Sequence, residues 1–309
     1  MTKRPFRIGS RGSALALWQA NHIKDLLSQA LPELNTEIVV IKTTGDRNLE
    51  SPLSEIGGKG VFVKEIEDAL LGDRIDIAVH SMKDLPAVLP DGLIIGAVAE
   101  RHDPRDVLIS KRGLRLGELP RGSRVGTGSL RRAAQILNRY PDLKIVPIRG
   151  NVDTRIKKLR DGDEYDAIIL AAAGIGRMGL SHEATEIIPA DLMIPAPGQG
   201  IIAIECRKSD PETLDTISEI NHTKTSVAAS AERAFLERLA GDCNVPVGCY
   251  AELNGTLINI RAVLASPDGG TLIGEEVKGR VEYSATLGRE LADLILDDGG
   301  REILESLPA

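Results

Sequence analysis

The chain has little aromatic character. Phe, Trp and Tyr make up 3% of its 309 residues. Its cores must therefore be built from Leu, Ile, Val and Ala, and a nucleic-acid groove lined by stacking rings is disfavoured. Cysteine is scarce as well. Cys206, Cys243 and Cys249 form an odd, sparse set, which argues against a disulfide framework and for a reducing compartment. The histidines, His22, His80, His102, His182 and His222, are scattered without metal-ligand spacing, so no metal site is expected. Long apolar runs are missing too. The longest, residues 167–175, falls far short of the ~20 residues a membrane span needs. The opening Met1-Thr-Lys-Arg-Pro-Phe-Arg has no apolar stretch behind its charges, so no signal peptide is expected. These absences lead to the expectation of a soluble, cytoplasmic protein with no membrane or nucleic-acid partner.

What the chain does have is a concentrated basic segment. Residues 121–160 carry eleven Arg/Lys against two Asp, in a protein of formal net charge −7. Several of these arginines sit beside Gly, Ser or Thr at expected strand-to-helix turns, as in Arg124-Val-Gly-Thr-Gly-Ser-Leu-Arg131-Arg132 and Ile148-Arg149-Gly150-Asn151. Such turns aim backbone N–H groups and guanidinium forks at one place, and their natural ligand is an anion with several carboxylates or phosphates. On charge count alone, a solvated basic surface explains the segment equally well.

Hydrophobic patterning predicts alternating strands and helices. Phe6–Gly9 reads as a strand, residues 13–30 as a helix and residues 37–41 as a strand. Residues 43–60 read as a long polar loop, 61–71 as a helix and 75–79 as a buried strand. Strands at 92–99 and 106–109 follow, and then the pattern restarts with strands at 124–126, 144–148 and 166–170 separated by helices at 130–139 and 152–160. Arg7-Ile-Gly-Ser is echoed by Arg124-Val-Gly-Thr, and Gly72-Asp73-Arg-Ile-Asp76 by Gly162-Asp163-Glu-Tyr-Asp166. Two similarly built α/β modules are the expectation, with ligands at strand C-termini and helix N-termini. The Pro-rich stretch 188–200 breaks the pattern as a crossing segment. The apolar strand 201–206 is placed back in the first module. From residue 223 a long helix, three strands and a C-terminal helix predict a smaller α+β domain.

Three constellations stand out. Cys206 and Cys249 lie on apolar strands and read as inert core residues. Cys243 alone sits in an exposed-type loop, Gly241-Asp-Cys-Asn-Val-Pro246. It reads either as a nucleophile or attachment point or as a small loop residue. Val79-His80-Ser81-Met82-Lys83-Asp84-Leu85-Pro86 leaves a strand at its C-terminal end, and Pro86 keeps Leu85 extended. Asp84 is either a carboxylate held ready for a cation or half of a surface pair with Lys83. Ser13 and Ser129 each stand at a helix start as N-caps, which leaves the neighbouring Arg11, Arg131 and Arg132 unexplained.

Together these segments resemble the porphobilinogen deaminase (hydroxymethylbilane synthase) family nearly end to end. The resemblance is carried by Ile8-Gly-Ser-Arg-Gly-Ser-Ala-Leu-Ala-Leu-Trp-Gln19, Gly57-Gly-Lys-Gly60, His80-Ser-Met-Lys-Asp-Leu-Pro86, Arg101-His-Asp-Pro-Arg-Asp106, Val125-Gly-Thr-Gly-Ser-Leu-Arg-Arg132, Arg149-Gly-Asn-Val-Asp-Thr-Arg155, Ala173-Gly-Ile-Gly-Arg177, Gly198-Gln-Gly200 and the Cys243 loop. Gly128 stands where the family often has Ser, and Asp242 where it often has Gly; Gly128 is not assigned as a ligand.

The resemblance implies that four porphobilinogens are joined head to tail with loss of ammonia and released as a linear tetrapyrrole. It implies a dipyrromethane cofactor bound by a thioether to Cys243. Asp84 would be the catalytic carboxylate, contacting pyrrole N–H groups and stabilising the cationic azafulvene left by ammonia loss. Arg11, Arg131, Arg132, Arg149, Arg155 and Arg177 would hold acetate and propionate groups, with Ser13, Gln19, Ser81, Lys83, Thr127 and Ser129 nearby and Lys59 in a covering loop. The implied fold has two periplasmic-binding-protein-like α/β domains with a cleft between them, plus a small C-terminal α+β domain. Domain 1 would take residues 1–99 and 200–221, domain 2 residues 100–199, and domain 3, bearing the Cys243 loop, residues 222–309. A monomer is implied. A non-catalytic binding protein for a small anion is the rival reading, and it would have no use for Cys243.

Overall fold

A computed structural model describes residues 4–43, 63–239 and 245–307. Most of the expected loop 43–60, Lys59 within it, and the Cys243 loop lie outside the described residues. Two compact units emerge, Met1–His102 with Ile201–Ser226, and Asp103–Gly200 with Val227–Ala309.

In chain order the first unit opens with β1 (Phe6–Ser10), α1 (Ala14–Ala30), β2 (Thr36–Val40), α2 (Lys64–Leu71), β3 (Ile77–Ser81) and β4 (Leu93–Val98). The second unit continues with β5 (Asp106–Ser110), β6 (Arg124–Gly126), α3 (Leu130–Arg139), β7 (Lys144–Val146), α4 (Val152–Asp161), β8 (Ala167–Ala171), α5 (Ala172–Arg177) and β9 (Glu186–Ile188). The chain then returns to the first unit through β10 (Ile202–Arg207) and α6 (Pro211–Ser218), and α7 (Thr223–Arg238) leads out of it. β11 (Val247–Asn254), β12 (Leu257–Ala265), β13 (Leu272–Arg280) and α8 (Ser284–Ile295) follow.

The first sheet runs β2-β1-β3-β10-β4, and the second runs β7-β6-β8-β5-β9. In the first, β1 pairs parallel with β2 and β3, and β10 pairs antiparallel with β3 and β4. In the second, β6 pairs parallel with β7 and β8, and β5 pairs antiparallel with β8 and β9. Order and direction match strand for strand, and β10 returns to the first module as the sequence indicates. The internal echo is thus a structural repeat. Asp76 accepts from the Arg7 backbone N–H at 2.8 Å, and Asp166 from that of Arg124 at 2.7 Å. The return bonds, Asp76 N–H to Arg7 O and Asp166 N–H to Arg124 O, are 2.9 and 2.8 Å. Gly9 and Gly126 fall at one position of the repeat, and each is needed for close approach. A Cβ on Gly9 would lie 2.3 Å from Ile75 Cδ1, and one on Gly126 2.8 Å from Tyr165 Cδ1.

Each sheet is covered on both faces, which explains the near-continuous apolar strands. On the first, Ile23 and Leu27 of α1 pack on Ile8, Ile77, Val79 and Ile204. Ile66, Ala69 and Leu70 of α2 pack on Ala78 and Leu93 across the other face. On the second, Ile136 of α3 packs on Val125, Leu108 and Ile169, and Ile156 and Leu159 of α4 pack on Ile109, Ile168 and Leu170. The C-terminal β11-β12-β13 sheet is antiparallel and builds its own core with Phe235 of α7 and Leu291 and Ile295 of α8. Cys206 and Cys249 are free and buried, as their strands lead one to expect. β9 and α6 had no counterpart in the hydrophobic pattern; both are short, and α6 is announced only by its Asp210 cap and Pro211.

Candidate active site

In the first unit, several of the expected site residues stand where β1 and β3 end. The chain turns after Ser10, and Ser13 caps α1 by accepting from Ala16 N–H at 3.3 Å. One turn further along, Gln19 is buried and donates from Nε2 to Ser81 Oγ at 2.8 Å. Two expected ligand residues from distant parts of the sequence are thereby joined. Just past β3, Met82 N–H donates to Ile201 O, and Met82–Asp84 form a single 3₁₀ turn. The turn closes with Leu85 N–H on Met82 O at 3.1 Å, and Leu85 is extended before Pro86. This places Lys83 half-buried and Asp84 exposed. Arg11, in the turn before α1, is half-buried.

In the second unit, the equivalent turn holds Thr127 and Ser129. Thr127 is buried, and its Oγ1 accepts from Ser129 N–H at 3.1 Å, while Ser129 caps α3 by accepting from Arg132 N–H. The first turn of α3 then sends two guanidinium groups into the interior. Arg132 donates from Nε and Nη2 to Asp106 Oδ1 at 3.0 and 2.7 Å, and from Nη1 to Ile169 O at 3.1 Å. Arg131 Nη1 pairs with Asp106 Oδ2 at 2.8 Å and donates to Ile194 O. All three side chains are buried. Burial alone would push the Asp106 carboxyl up, but the charges of Arg131 and Arg132 and their hydrogen bonds hold it well below the usual carboxylate range. Burial also pulls the Arg131 guanidinium down, against the Asp106 charge.

The same network reaches the crossing segment. Gln199 donates from Nε2 to Pro104 O at 2.6 Å and to Asp106 Oδ1 at 2.9 Å. Glu232 of α7, fully buried, accepts from Gly198 N–H at 2.6 Å and from Ala251 N–H at 2.8 Å. Arg177 closes α5, donates to Gly200 O at 2.8 Å and is pulled down to about 10 by burial, so it stays cationic at neutral pH. Arg149 and Arg155 are half-buried around Gly150, whose φ of +111° makes the turn, and Arg155 Nε donates to Gly150 O at 2.8 Å. Arg139 and Arg160 lie exposed on helix exteriors.

The basic segment is therefore of two kinds, an exposed fringe and an interior set anchored by one aspartate. Two buried cations share one buried anion, and Arg131 Nε is buried without a partner among the described residues. Buried charge of one sign in excess is costly unless something neutralises it, and carboxylates on a ligand fit that requirement. This is the fit expected of an acid-bearing dipyrrole. Asp106, Gln199 and Glu232 escaped the residue-level reading, although Asp106 and Gln199 stand inside segments that the resemblance picked out.

An α/β protein with paired modules, an exposed carboxylate at one strand end and an interior set of guanidinium groups in excess of their buried acid is the class that fold and site define. Comparison with known proteins sharpens it. Residues 6–215 match the model for the porphobilinogen deaminase dipyrromethane cofactor binding domain, and residues 226–297 that for the porphobilinogen deaminase C-terminal domain. A porphobilinogen deaminase of Pelobacter propionicus is 49% identical over 307 residues, covering 99% of this chain and 98% of that protein. One from Syntrophus aciditrophicus is 50% identical over 301 residues, covering 97% and 98%. Among solved structures, a TRAP periplasmic solute-binding protein from Ralstonia eutropha is similar at a TM-score of 0.41 and 13% identity, covering 97% of this chain and 95% of that one. The chain belongs to the porphobilinogen deaminase family.

Proposed function

We propose that the chain condenses four porphobilinogens head to tail, with release of ammonia, on a dipyrromethane primer held by Cys243, and that Asp84 is its catalytic carboxylate. The observation that carries this reading is the buried excess of positive charge at Arg131, Arg132 and Asp106, matched to a substrate that adds two carboxylates with each pyrrole. The non-catalytic alternative has no use for the Cys243 segment and is not favoured by the family.

When bound, dipyrromethane supplies the pyrrole carbon from which the chain grows. Arg131, Arg132, Arg149, Arg155 and Arg177 hold acetate and propionate groups by charge-assisted hydrogen bonds, with Thr127 and Ser129 beside them. Arg11, Ser13, Gln19, Ser81 and Lys83 do the same for the first unit, with Lys59, outside the described residues, as a further proposed ligand. Asp84 orients pyrrole N–H groups by accepting from them. Its charge lowers the energy of a cation developing on the substrate as ammonia leaves, and its carboxylate can take up and return a proton. The division into three domains, residues 1–99 with 200–221, 100–199 and 222–309, is supported by the three separate sheets. A cytoplasmic monomer is the accompanying proposal, in keeping with cysteines that are buried and free at 206 and 249.

The test is direct. Purified protein should consume porphobilinogen and yield a tetrapyrrole. Its intact mass should exceed the sequence mass by two porphobilinogens less two ammonias. Cys243→Ser should remove that increment, whereas Cys206→Ser and Cys249→Ser should keep it. A modification that survives Cys243→Ala and is lost on Cys206→Ala would overturn the attachment site.

A further inference from the structure

Behind the Asp84 turn, on the α2 face of the first sheet, lies a buried polar cluster that the reaction as described does not use. His80 Nε2 and Glu205 Oε2 are 3.0 Å apart, with His80 on β3 and Glu205 on its antiparallel neighbour β10. Glu67 of α2 is buried on the same face, at 7% exposure, beside His80 at 5% and Glu205 at 0%. Glu67 Oε1 and Glu205 Oε1 are both buried without a hydrogen-bond partner among the described residues. Two acids and one imidazole thus share a dry interior, and two carboxylate oxygens left bare there are costly to bury.

The second module shows that the fold does not require this cluster. The sheet registers set Gly9 beside Ala78 and Gly126 beside Ile168, so His80 corresponds to Leu170. Glu205, opposite Ala78, corresponds to Ile109, opposite Ile168. Counted from the shared Gly-Asp turn, Glu67 corresponds to Lys157, which is exposed. Leu170 and Ile109 pack in an ordinary apolar core. Replacing a buried pair of this kind by apolar residues of similar volume usually leaves stability level or raised, so the fold alone does not account for these residues.

We infer that Glu67, His80 and Glu205 are positioning residues, a buried polar cluster that sets the field and the seat of the Asp84 turn through the end of β3. The inference rests on Asp84 being the catalytic carboxylate. His80 lies four residues before Asp84 and directly before Ser81, which Gln19 holds. Burial pushes the Glu67 carboxyl up to about 7, with the Glu205 charge adding to the rise and His80 opposing it. Other charges on the elements packed against α2 are engaged elsewhere. Arg7 of β1 binds Asp73 and Asp76, Arg207 of β10 binds Leu70 O, Ile75 O and Asp210, and β4 has no titratable group. On α2 itself, Asp68 adds to the rise. As pH increases through this range, Glu67 ionises and a second anion accumulates behind the turn, where a substrate cation forms. Turnover should rise with it.

The experiment uses holoenzyme, with loading checked by intact mass, in single-turnover consumption of porphobilinogen from about pH 6 to about pH 8.5. Wild type should gain about threefold or more across that range, a modest share of what a fixed charge contributes. E67Q should match wild type at the acid end and stay flat. H80L/E205I, which installs the pair found in the second module, should melt at or above the wild-type temperature. It should nevertheless turn over about tenfold or more slowly, with KM changed by less than about twofold, as displaced catalytic geometry does. A wild-type pH profile in E67Q, or wild-type kcat in H80L/E205I, would overturn the inference. If the double variant does not fold, the near-isosteric E67Q still decides. Failure of wild type itself to consume porphobilinogen would bring down the functional reading, and the inference with it.

Discussion

At the start of its first helix the N-terminal module places Ala14, Leu15 and Ala16 behind the Ser13 cap; the middle module places Leu130, Arg131 and Arg132 behind the Ser129 cap. The partner strand follows suit. Asp106, which anchors both arginines, corresponds in register to Ile202. Three residues along that strand, and on the strand beside it, the assignment reverses, with Glu205 and His80 in the first module where the second has Ile109 and Leu170. Each module therefore buries charge at one place and keeps the corresponding place of its twin apolar. The scaffold tolerates either content at both, so these charges are best explained by ligands and chemistry. The second module has cations suited to carboxylates. The first has buried acids near the Asp84 turn, which the proposed reaction assigns to a developing cation.

The sharpest way to break this contrast is Asp84→Asn in cofactor-loaded protein. Asp84 is exposed, so the fold and the loaded primer should survive. Removing a preorganised charge from a developing cation costs about 10²–10³ in rate, and loss of proton transfer adds a further factor of about 10²–10⁴. Asp84→Glu keeps the charge but displaces it, and should retain more activity than Asn. Single-turnover kinetics separates this from an assembly defect. Turnover within a few-fold of wild type would make Asp84 a structural residue and leave the anionic side of the comparison empty.

Next in size is Asp106→Asn. It strips the anion that pairs with two buried guanidinium groups, and breaking such an arrangement costs about 3–5 kcal/mol. Denaturant unfolding should show the loss. The triple change Arg131→Leu, Arg132→Ala and Asp106→Ile writes the content of the first module into the second. It should fold better than Asp106→Asn while failing to hold the primer. Equal stability of Asp106→Asn and wild type would mean that the three residues are not one electrostatic unit.

A smaller contrast lies in the staple that both modules share. The Asp76 side chain is 3% exposed and binds Arg4, Arg7 and the Arg7 backbone; that of Asp166 is 39% exposed and binds Arg124 alone among the pairs described. Burial opposes ionisation of Asp76, yet the bonds from Arg7 and Arg4 hold its carboxyl well below the usual range. A depressed carboxylate contributes stability that is present above its unfolded pKa, near ~4, and lost as pH falls through its folded value. Asp76→Asn should cost about 1–3 kcal/mol near neutrality, the range for a buried group stripped of a charged partner. It should also flatten the fall in stability below about pH 4. Asp166→Asn should do less on both counts. Reversal of that order would show that exposure does not grade the two staples.

Much of this was legible in the sequence because it depends on local pattern. Ser13 and Ser129 as caps, Pro86 fixing Leu85, and the twin Gly-Asp turns are short-range signals, and the structure realises them. The same holds for Cys206 and Cys249, whose apolar neighbours announce a core position. Gln19 and Ser81 were each singled out, but their bond spans 62 positions, a distance no period reports. The interior fate of Arg131 and Arg132 was hidden for a related reason. Arginine after an N-cap reads as surface until a buried acid on another strand is known, and Asp106 looks like any strand-edge residue. His80 and Glu205 were invisible together, because cross-strand pairing depends on a register set by the return of β10.

The smallest expected effect tests whether the basic segment acts as a site or as a diffuse field. Arg139 and Arg160 are exposed on helix exteriors, and Arg160 pairs with Glu183. Surface ion pairs contribute little, because water screens them and long side chains lose entropy in making them. Arg139→Leu and Arg160→Leu should therefore stay within about 0.5 kcal/mol of wild type in stability and keep cofactor loading and turnover. Arg149→Leu and Arg132→Leu change net charge by the same amount and should impair loading or elongation severely. A guanidinium removed from a desolvated carboxylate costs about 2–5 kcal/mol. Charge is thus held constant across the four variants and only position varies. Loading by intact mass, and elongation at two salt concentrations, read the result. Equal losses at all four positions, relieved or worsened together by salt, would mean that the segment works through its summed field. The contrast between a module with buried cations behind its serine cap and one with apolar residues there would then rest on the burial of Asp106, Arg131 and Arg132 alone.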